Sequence, residues 1–81
     1  MTLIAKIFIQ IEHDAMVKVV EELKDMPQIK KLFALTGDYD LLAEVEVESS
    51  EELYDIFAKK IDTIEGIEKT NTHVVMKSWE K

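Results

Sequence analysis

The chain has 81 residues, no cysteine and a formal net charge of −7. We therefore expect one domain without disulfides or thiolate metal sites, and His13 and His73 alone are too few for a zinc site. All ten basic residues are lysines scattered among 17 acidic residues, which argues against direct binding of nucleic acid or of anionic membranes.

No apolar run approaches the roughly 18 residues of a membrane span. The first residues contain neither a basic leader nor a small-residue cleavage site, so a cytoplasmic protein is expected. A domain this small is usually helped by disulfides, metals or association. Association is the remaining aid here, and the 47% hydrophobic content supplies apolar surface for it.

The first part of the chain predicts a strand, a helix and a second strand. Residues 3–11 are apolar at every second position, which is typical of a strand with one buried face. Asp14 is expected to cap a helix whose apolar residues recur at helical spacing from Met16, and Pro27 is expected to end it. Residues 29–35 then predict the second strand.

A hairpin is expected in the middle of the chain, where the sequence reads LTGDYDLL. Gly37 and Asp38 match the Gly-Asp class of two-residue hairpin turn. A third strand is expected from about Tyr39 to Glu48, because apolar and polar residues alternate there more regularly than anywhere else in the chain.

A second helix and a fourth strand are expected in the last third of the chain. Ser49 and Glu52 have the spacing of a capping box at a helix start. Gly66 fits the left-handed position that follows a helix. The residues from Ile67 to Trp79 are rich in Thr, Val and Ile and predict a fourth strand.

This element order predicts an α+β, ferredoxin-like βαββαβ fold. Right-handed crossovers place both helices on one face of a four-stranded antiparallel sheet. The other face keeps apolar residues such as Ile4 and Phe8, so we expect two copies to stack sheet to sheet in a twofold dimer. Polar neighbours such as Lys6 and Glu44 leave a monomer as the alternative.

Several segments in a fixed order resemble one known family. They are the run LTGDYDLL, the helix SSEELYDIFAKKI, the turn IEGI and the strand KTNTHVVMK, preceded by IAKIFIQIE. Together they closely resemble the effector domain of the Lrp/AsnC regulators, which is called RAM, for regulation of amino-acid metabolism. The resemblance spans essentially all of residues 1–81. A winged helix-turn-helix domain normally precedes RAM in that family, so a stand-alone RAM protein is expected.

The resemblance implies a sensor of amino acids. The lack of cysteine and the isolation of the two histidines argue separately against a catalytic or metal site, and no cofactor is expected. RAM domains of the family form dimers of the α+β barrel type and assemble further into rings, commonly octamers, with effectors bound between dimers. Such a chain would modulate transcription or metabolism without binding DNA itself. The residues that match the family's effector site are Gly37, Asp38, Tyr39, Asp40, Thr70 and Thr72.

The chemistry of these residue types suits an amino acid. Asp38 or Asp40 can accept a charge-assisted hydrogen bond from an ammonium group, and amides beside Gly37 can approach a carboxylate. Threonine hydroxyls can donate or accept. Each residue also has a structural interpretation: the hairpin as an ordinary turn, Asp40 bonded only to its own turn, Tyr39 in a dimer contact, and threonines chosen for strand propensity.

Other functions remain open at this level. A small ferredoxin-like enzyme of the dimeric barrel type could use Asp38 and Asp40 as a carboxylate pair, but the sequence places no nucleophile or ligand cluster near them. A sensor of the ACT type has the same element order. A third possibility is a partner that forms mixed rings with full-length Lrp/AsnC regulators. Trp79 is expected either to anchor an interface or to cap the core.

Overall fold

A computed structural model describes residues 2–81 and has the predicted order of strands and helices. The strands are β1 (Leu3–Ile11), β2 (Ile29–Ala34), β3 (Leu41–Val47) and β4 (Ile67–Val74), and the helices are α1 (Met16–Lys24) and α2 (Ser50–Ile56). The four strands pair antiparallel in the order β2-β3-β1-β4. The predicted α+β architecture of four antiparallel strands and two helices is thus confirmed.

The core lies between the helices and one face of the sheet. Every second residue of β1 from Ala5 to Ile11 is buried, and β3 shows the same alternation from Leu41 to Val47. Val19 and Leu23 of α1 are fully buried against them. The period-two pattern of the two central strands therefore determines which face of the sheet is covered.

The second helix begins at the predicted cap. The hydroxyl of Ser49 accepts a hydrogen bond from the Glu52 amide at 3.1 Å, and the Glu52 carboxylate accepts one from the Glu48 amide at 2.7 Å. The helix continues beyond Ile56 as a π-helical turn, Phe57–Ile61. Ile56 and Ile61 are five residues apart, and the wider turn keeps both side chains in the core.

The start of α1 differs from the prediction. Its N-cap is Ala15 and no side chain caps it, so the expected Asp14 cap is wrong. Asp14 adopts a positive φ of 65°, and its exposed carboxylate lies 3.3 Å from Nε2 of His13. An aspartate tolerates this left-handed conformation in a tight turn, and here its carboxylate lies beside His13 and bonds none of the orphan amides of the helix.

Gly66 has the left-handed backbone that the sequence predicts, with φ of 105°. Its carbonyl accepts a hydrogen bond from the Glu12 amide at 2.8 Å, which joins the end of β1 to the start of β4. A Cβ at this position would lie 2.8 Å from Cβ of Ala15. Glycine is therefore needed here for close packing as well as for its φ.

The connection between β2 and β3 is longer than predicted. Six residues, 35–40, separate the two strands, so the two-residue hairpin is wrong and β3 begins at Leu41 rather than near Tyr39. The amide of Leu35 donates to the carbonyl of Asp40 at 2.9 Å and closes the loop. We call residues 35–40 the hairpin loop.

The fourth strand is shorter than the predicted span to Trp79. It ends at Val74, and the Val75 amide makes one further bond, to the carbonyl of Ile4 at 2.8 Å. Strand β1 begins at Leu3, so the chain beyond Val75 soon has no neighbouring backbone to pair with. Trp79 is 81% exposed, which excludes a cap on the core and leaves the interface anchor as the untested alternative.

The second face of the sheet carries no helix, and we call it the uncovered face. Cross-strand pairing places Phe33, Leu42 and Phe8 side by side in one apolar row. Residues directly opposite each other share a face, and so the row runs across three strands. Phe33 is 43% exposed, which shows that the row is open in a single chain.

A charged row lies next to this apolar row. Lys31 pairs with Glu44, and Glu44 pairs with Lys6, whose ammonium lies 3.7 Å from the Glu44 carboxylate. Alternating charges inside a contact surface favour one orientation of a partner over others.

Within residues 2–81, no helix has the length and apolar content that crossing a membrane requires.

Candidate functional site at the hairpin loop

Asp40 fixes the hairpin loop to the central strand. Its amide donates to the carbonyl of Ile9 at 2.9 Å, and its carboxylate accepts a hydrogen bond from the Ile11 amide at 2.8 Å. The β1–β3 ladder ends at Ile9 and Leu41, so the side chain of Asp40 extends the pairing by one more bond. This carboxylate is already used and serves to position the loop.

The tip of the hairpin loop leaves polar groups unused. Gly37 is exposed with φ of 108°. Within residues 2–81, neither the amides of residues 37–39 nor the carboxylate of Asp38 forms a hydrogen bond or ion pair. Three amides and a carboxylate at one loop tip can meet the carboxylate and ammonium groups of a small zwitterion.

A recess of about 480 Å³ lies beside this tip, and we call it the hairpin recess. Gly37, Asp38, Tyr39, Gln10 and Lys69 line it. A volume of this order accommodates a small metabolite.

Tyr39 forms a wall that joins the hairpin recess to the uncovered face. Its ring packs against Phe8 with centroids 5.7 Å apart, and its hydroxyl accepts a hydrogen bond from the Asn71 amide group at 3.5 Å. The His73 ring also packs edge-on against Phe8, with centroids 5.7 Å apart. The aromatic group therefore connects the hairpin recess to the uncovered face.

The six residues selected from the sequence do not all converge in one chain. Gly37, Asp38 and Tyr39 line the hairpin recess, whereas the Asp40 carboxylate turns to Ile11. Thr70 and Thr72 share a face, as their spacing predicts, but they pair with Ile9 and Ile7, whose side chains are buried on the helix side. They lie on the opposite face of the sheet from the recess.

Two residues of the recess were not selected from the sequence. Gln10 and Lys69 are cross-strand partners, and a bulge in the β1–β4 pairing follows them. The sequence alone shows that both are polar residues within predicted strands. Their nearness to the hairpin loop depends on the register of two distant segments, which no local pattern encodes.

A second recess of about 420 Å³ lies between α1 and β2. Its lining includes the apolar side chains of Val20, Ile29 and Leu32 and the lysines Lys24, Lys30 and Lys31. It has no carboxylate to meet an ammonium group, so it suits an amino acid less well.

Residues 2–81 contain no group of three or more His, Asp or Glu side chains placed to hold a metal ion.

Residues 4–81 match the sequence model of the Lrp/AsnC ligand-binding domain. The chain belongs to this family. The HTH-type transcriptional regulator FL11 of Pyrococcus furiosus is 33% identical over 75 residues, which are 93% of this chain and 49% of FL11. The chain thus spans about half the length of that relative.

Solved structures share the fold of this chain. The crystal structure of FFRP-DM1 superimposes with a TM-score of 0.88 at 27% identity, covering 91% of this chain and 99% of that one. A transcriptional regulator from Neisseria meningitidis has the same fold, with a TM-score of 0.91 at 21% identity over 98% of this chain and 53% of its own. The family is one of regulatory ligand-binding domains, which agrees with the expectation of a sensor.

Proposed function

We propose that this domain senses amino acids as part of a homo-oligomer in the cytoplasm and modulates transcription or metabolism without binding DNA itself. This proposal rests mainly on the tip of the hairpin loop. Within residues 2–81, the amides of residues 37–39 and the Asp38 carboxylate form no hydrogen bond there, and they lie beside a recess. Membership of a ligand-binding domain family supports this role. The structure of the Neisseria regulator is a complex with L-methionine, so this fold accepts an amino acid in that protein.

The proposed site divides the candidate residues by role. Asp38 meets the ammonium group of the ligand, the amides beside Gly37 meet its carboxylate, and Tyr39 supplies a wall. Asp40 positions the loop through Ile11 and does not contact the ligand. Thr70 and Thr72 would reach a ligand only from a neighbouring subunit, since they lie behind the sheet in their own chain.

Dimerisation through the uncovered face completes the assembly. The apolar row of Phe33, Leu42 and Phe8 is open in one chain, and a second sheet stacked on it would remove this row from water. A standard interface buries about 800 Å² per partner. Tyr39 packs on Phe8, so the dimer would also fix one wall of the hairpin recess. A ring of dimers, with eight subunits as the expected number, would then enclose the recess between dimers.

A ligand screen on the assembled protein tests the sensor directly. Light scattering should give a mass well above the 9.4 kDa of one chain. Thermal unfolding is then measured with each of the twenty amino acids. A ligand at 100 times its Kd should stabilise the folded state by about 2.7 kcal/mol. If no amino acid raises the midpoint in a sample proven to be assembled, the sensor function is excluded.

A matched pair of variants locates the site. Asp38→Asn keeps the shape of the side chain and removes its charge. Losing a charge-assisted bond worth about 1.5–3 kcal/mol should lower the affinity for the ligand roughly 10- to 150-fold. Asp62→Asn removes an exposed carboxylate elsewhere and should leave binding unchanged. Equal affinities for the two variants would place the ligand outside the hairpin recess.

Mixed assembly with full-length regulators is the second candidate. The match covers only 49% of FL11, so this HTH-type transcriptional regulator carries a matching domain together with a further segment. Two chains with the same uncovered face could pair through it. Co-expression with a full-length relative, followed by native mass spectrometry, would detect mixed rings, and exclusively homomeric species would refute this candidate.

A further inference from the structure

The hairpin recess contains one cationic side chain that the proposed function leaves without a role. Lys69 lies on the uncovered face opposite Gln10, and both residues line the recess with Asp38. The Gln10 side-chain amide donates to the Asp38 carbonyl at 3.4 Å, which ties strand β1 to the loop tip. Strand β4 therefore brings an ammonium group to the edge of the proposed amino-acid site.

The charges of the recess exceed what the backbone of an amino acid needs. Asp38 accounts for the ligand's ammonium group, and the free amides of residues 37–39 account for its α-carboxylate. Lys69 forms no ion pair within residues 2–81, so its charge is left for a second anion. An aliphatic ligand would shield this ammonium group from water without offering it a partner, which is unfavourable.

We infer that Lys69, assisted by Gln10, selects amino acids whose side chain ends in a carboxylate, namely the glutamate and aspartate class. Lys69 offers a charge and Gln10 offers the second N–H of its side-chain amide, whose first N–H bonds the Asp38 carbonyl, and this combination matches a carboxylate better than an amide or an alkyl group. This inference rests on the proposed function and adds the ligand class to it.

The overall charge of −7 does not oppose an anionic side chain at this position. Surface charges farther away than about 8 Å are largely screened at physiological ionic strength. The contact with Lys69 therefore outweighs distant acidic residues. The second recess holds three lysines but no carboxylate for the ammonium group, so of these two recesses the hairpin recess is the one with both signs of charge.

Calorimetric titration of the assembled protein tests the inference with L-glutamate, L-aspartate, L-glutamine and L-leucine. Glutamate or aspartate should bind at least tenfold more tightly than glutamine and leucine. Lys69→Gln should lower the affinity for the acidic ligand at least tenfold and change the affinity for glutamine by no more than about twofold. The preference for the acidic ligand then disappears. Lys24→Gln, an exposed lysine beside the second recess, should leave all affinities unchanged.

The outcomes separate this inference from the proposed function. Tight binding of glutamine or leucine without a preference for acidic ligands would refute the ligand class and leave the sensor intact. A glutamate-to-glutamine ratio that Lys69→Gln does not change would refute the role of Lys69. A ratio that Lys24→Gln changes instead would move the site to the second recess. Failure of every amino acid to bind would refute the sensor and this inference together.

Discussion

Replacing Gly66 by alanine should destabilise the fold more than replacing Gly37 by alanine. Both glycines have nearly the same backbone, with φ of 105° and 108°. A Cβ at Gly66 would lie 2.8 Å from Cβ of Ala15 and 3.2 Å from Cγ2 of Val19, whereas a Cβ at Gly37 would have no neighbour within 4 Å. The pair therefore separates backbone strain from crowding.

The expected losses follow from these two terms. An L-residue in the left-handed region costs about 1–2 kcal/mol, and both substitutions share this cost. Val19 is fully buried and has little room to move, and overpacking a filled core costs about 1–3 kcal/mol more. We expect the free energy of unfolding to fall by about 1–2 kcal/mol for Gly37→Ala and about 2–5 kcal/mol for Gly66→Ala.

Urea unfolding followed by circular dichroism measures both losses. All variants are compared at one protomer concentration, because association contributes to the measured free energy. Ala15→Gly removes the nearer contact and should restore part of the stability in the Gly66→Ala background, which a double-mutant cycle detects. Equal losses for the two glycines, with no coupling to Ala15, would refute this account of the α1–β4 contact.

Three further substitutions test the hairpin loop, the second helix and the uncovered face. Asp40→Ala should lower the free energy of unfolding by about 1–3 kcal/mol because the Ile11 amide loses its acceptor, and a loss below about 0.5 kcal/mol in urea titrations would show that water replaces the bond. Ser49→Ala should cost about 1 kcal/mol by removing the cap on the Glu52 amide, and an unchanged thermal midpoint would argue against the cap. Phe8→Lys should yield particles near 9.4 kDa in light scattering, while persistence of the larger species would show that subunits associate elsewhere.

The fold was predictable because its information is local. The alternation in β1 and β3 predicts which residues are buried, and the structure buries all of them except Leu3, which is half-buried at the start of β1. The Ser49–Glu52 spacing marks the start of α2, and Gly66 marks the turn before β4. Each of these signals depends on residues a few positions apart, so no knowledge of distant contacts was required.

The details of the site were less predictable because they depend on distant segments. The hairpin loop has six residues instead of two, since Asp40 bonds to β1, which lies 29 residues earlier. The position of Lys69 follows from a register that shifts just beyond Gln10. The end of β4 depends on where β1 begins, which the sequence from Ile67 onward cannot reveal.

The sensor account is tested most directly by a crystal structure of the assembled protein grown with the amino acid that stabilises it most. The account predicts that the ligand's ammonium group lies within about 3.2 Å of the Asp38 carboxylate, with a second chain stacked on the uncovered face. A ligand between α1 and β2, or a hairpin recess left empty while the ligand binds elsewhere, would contradict it.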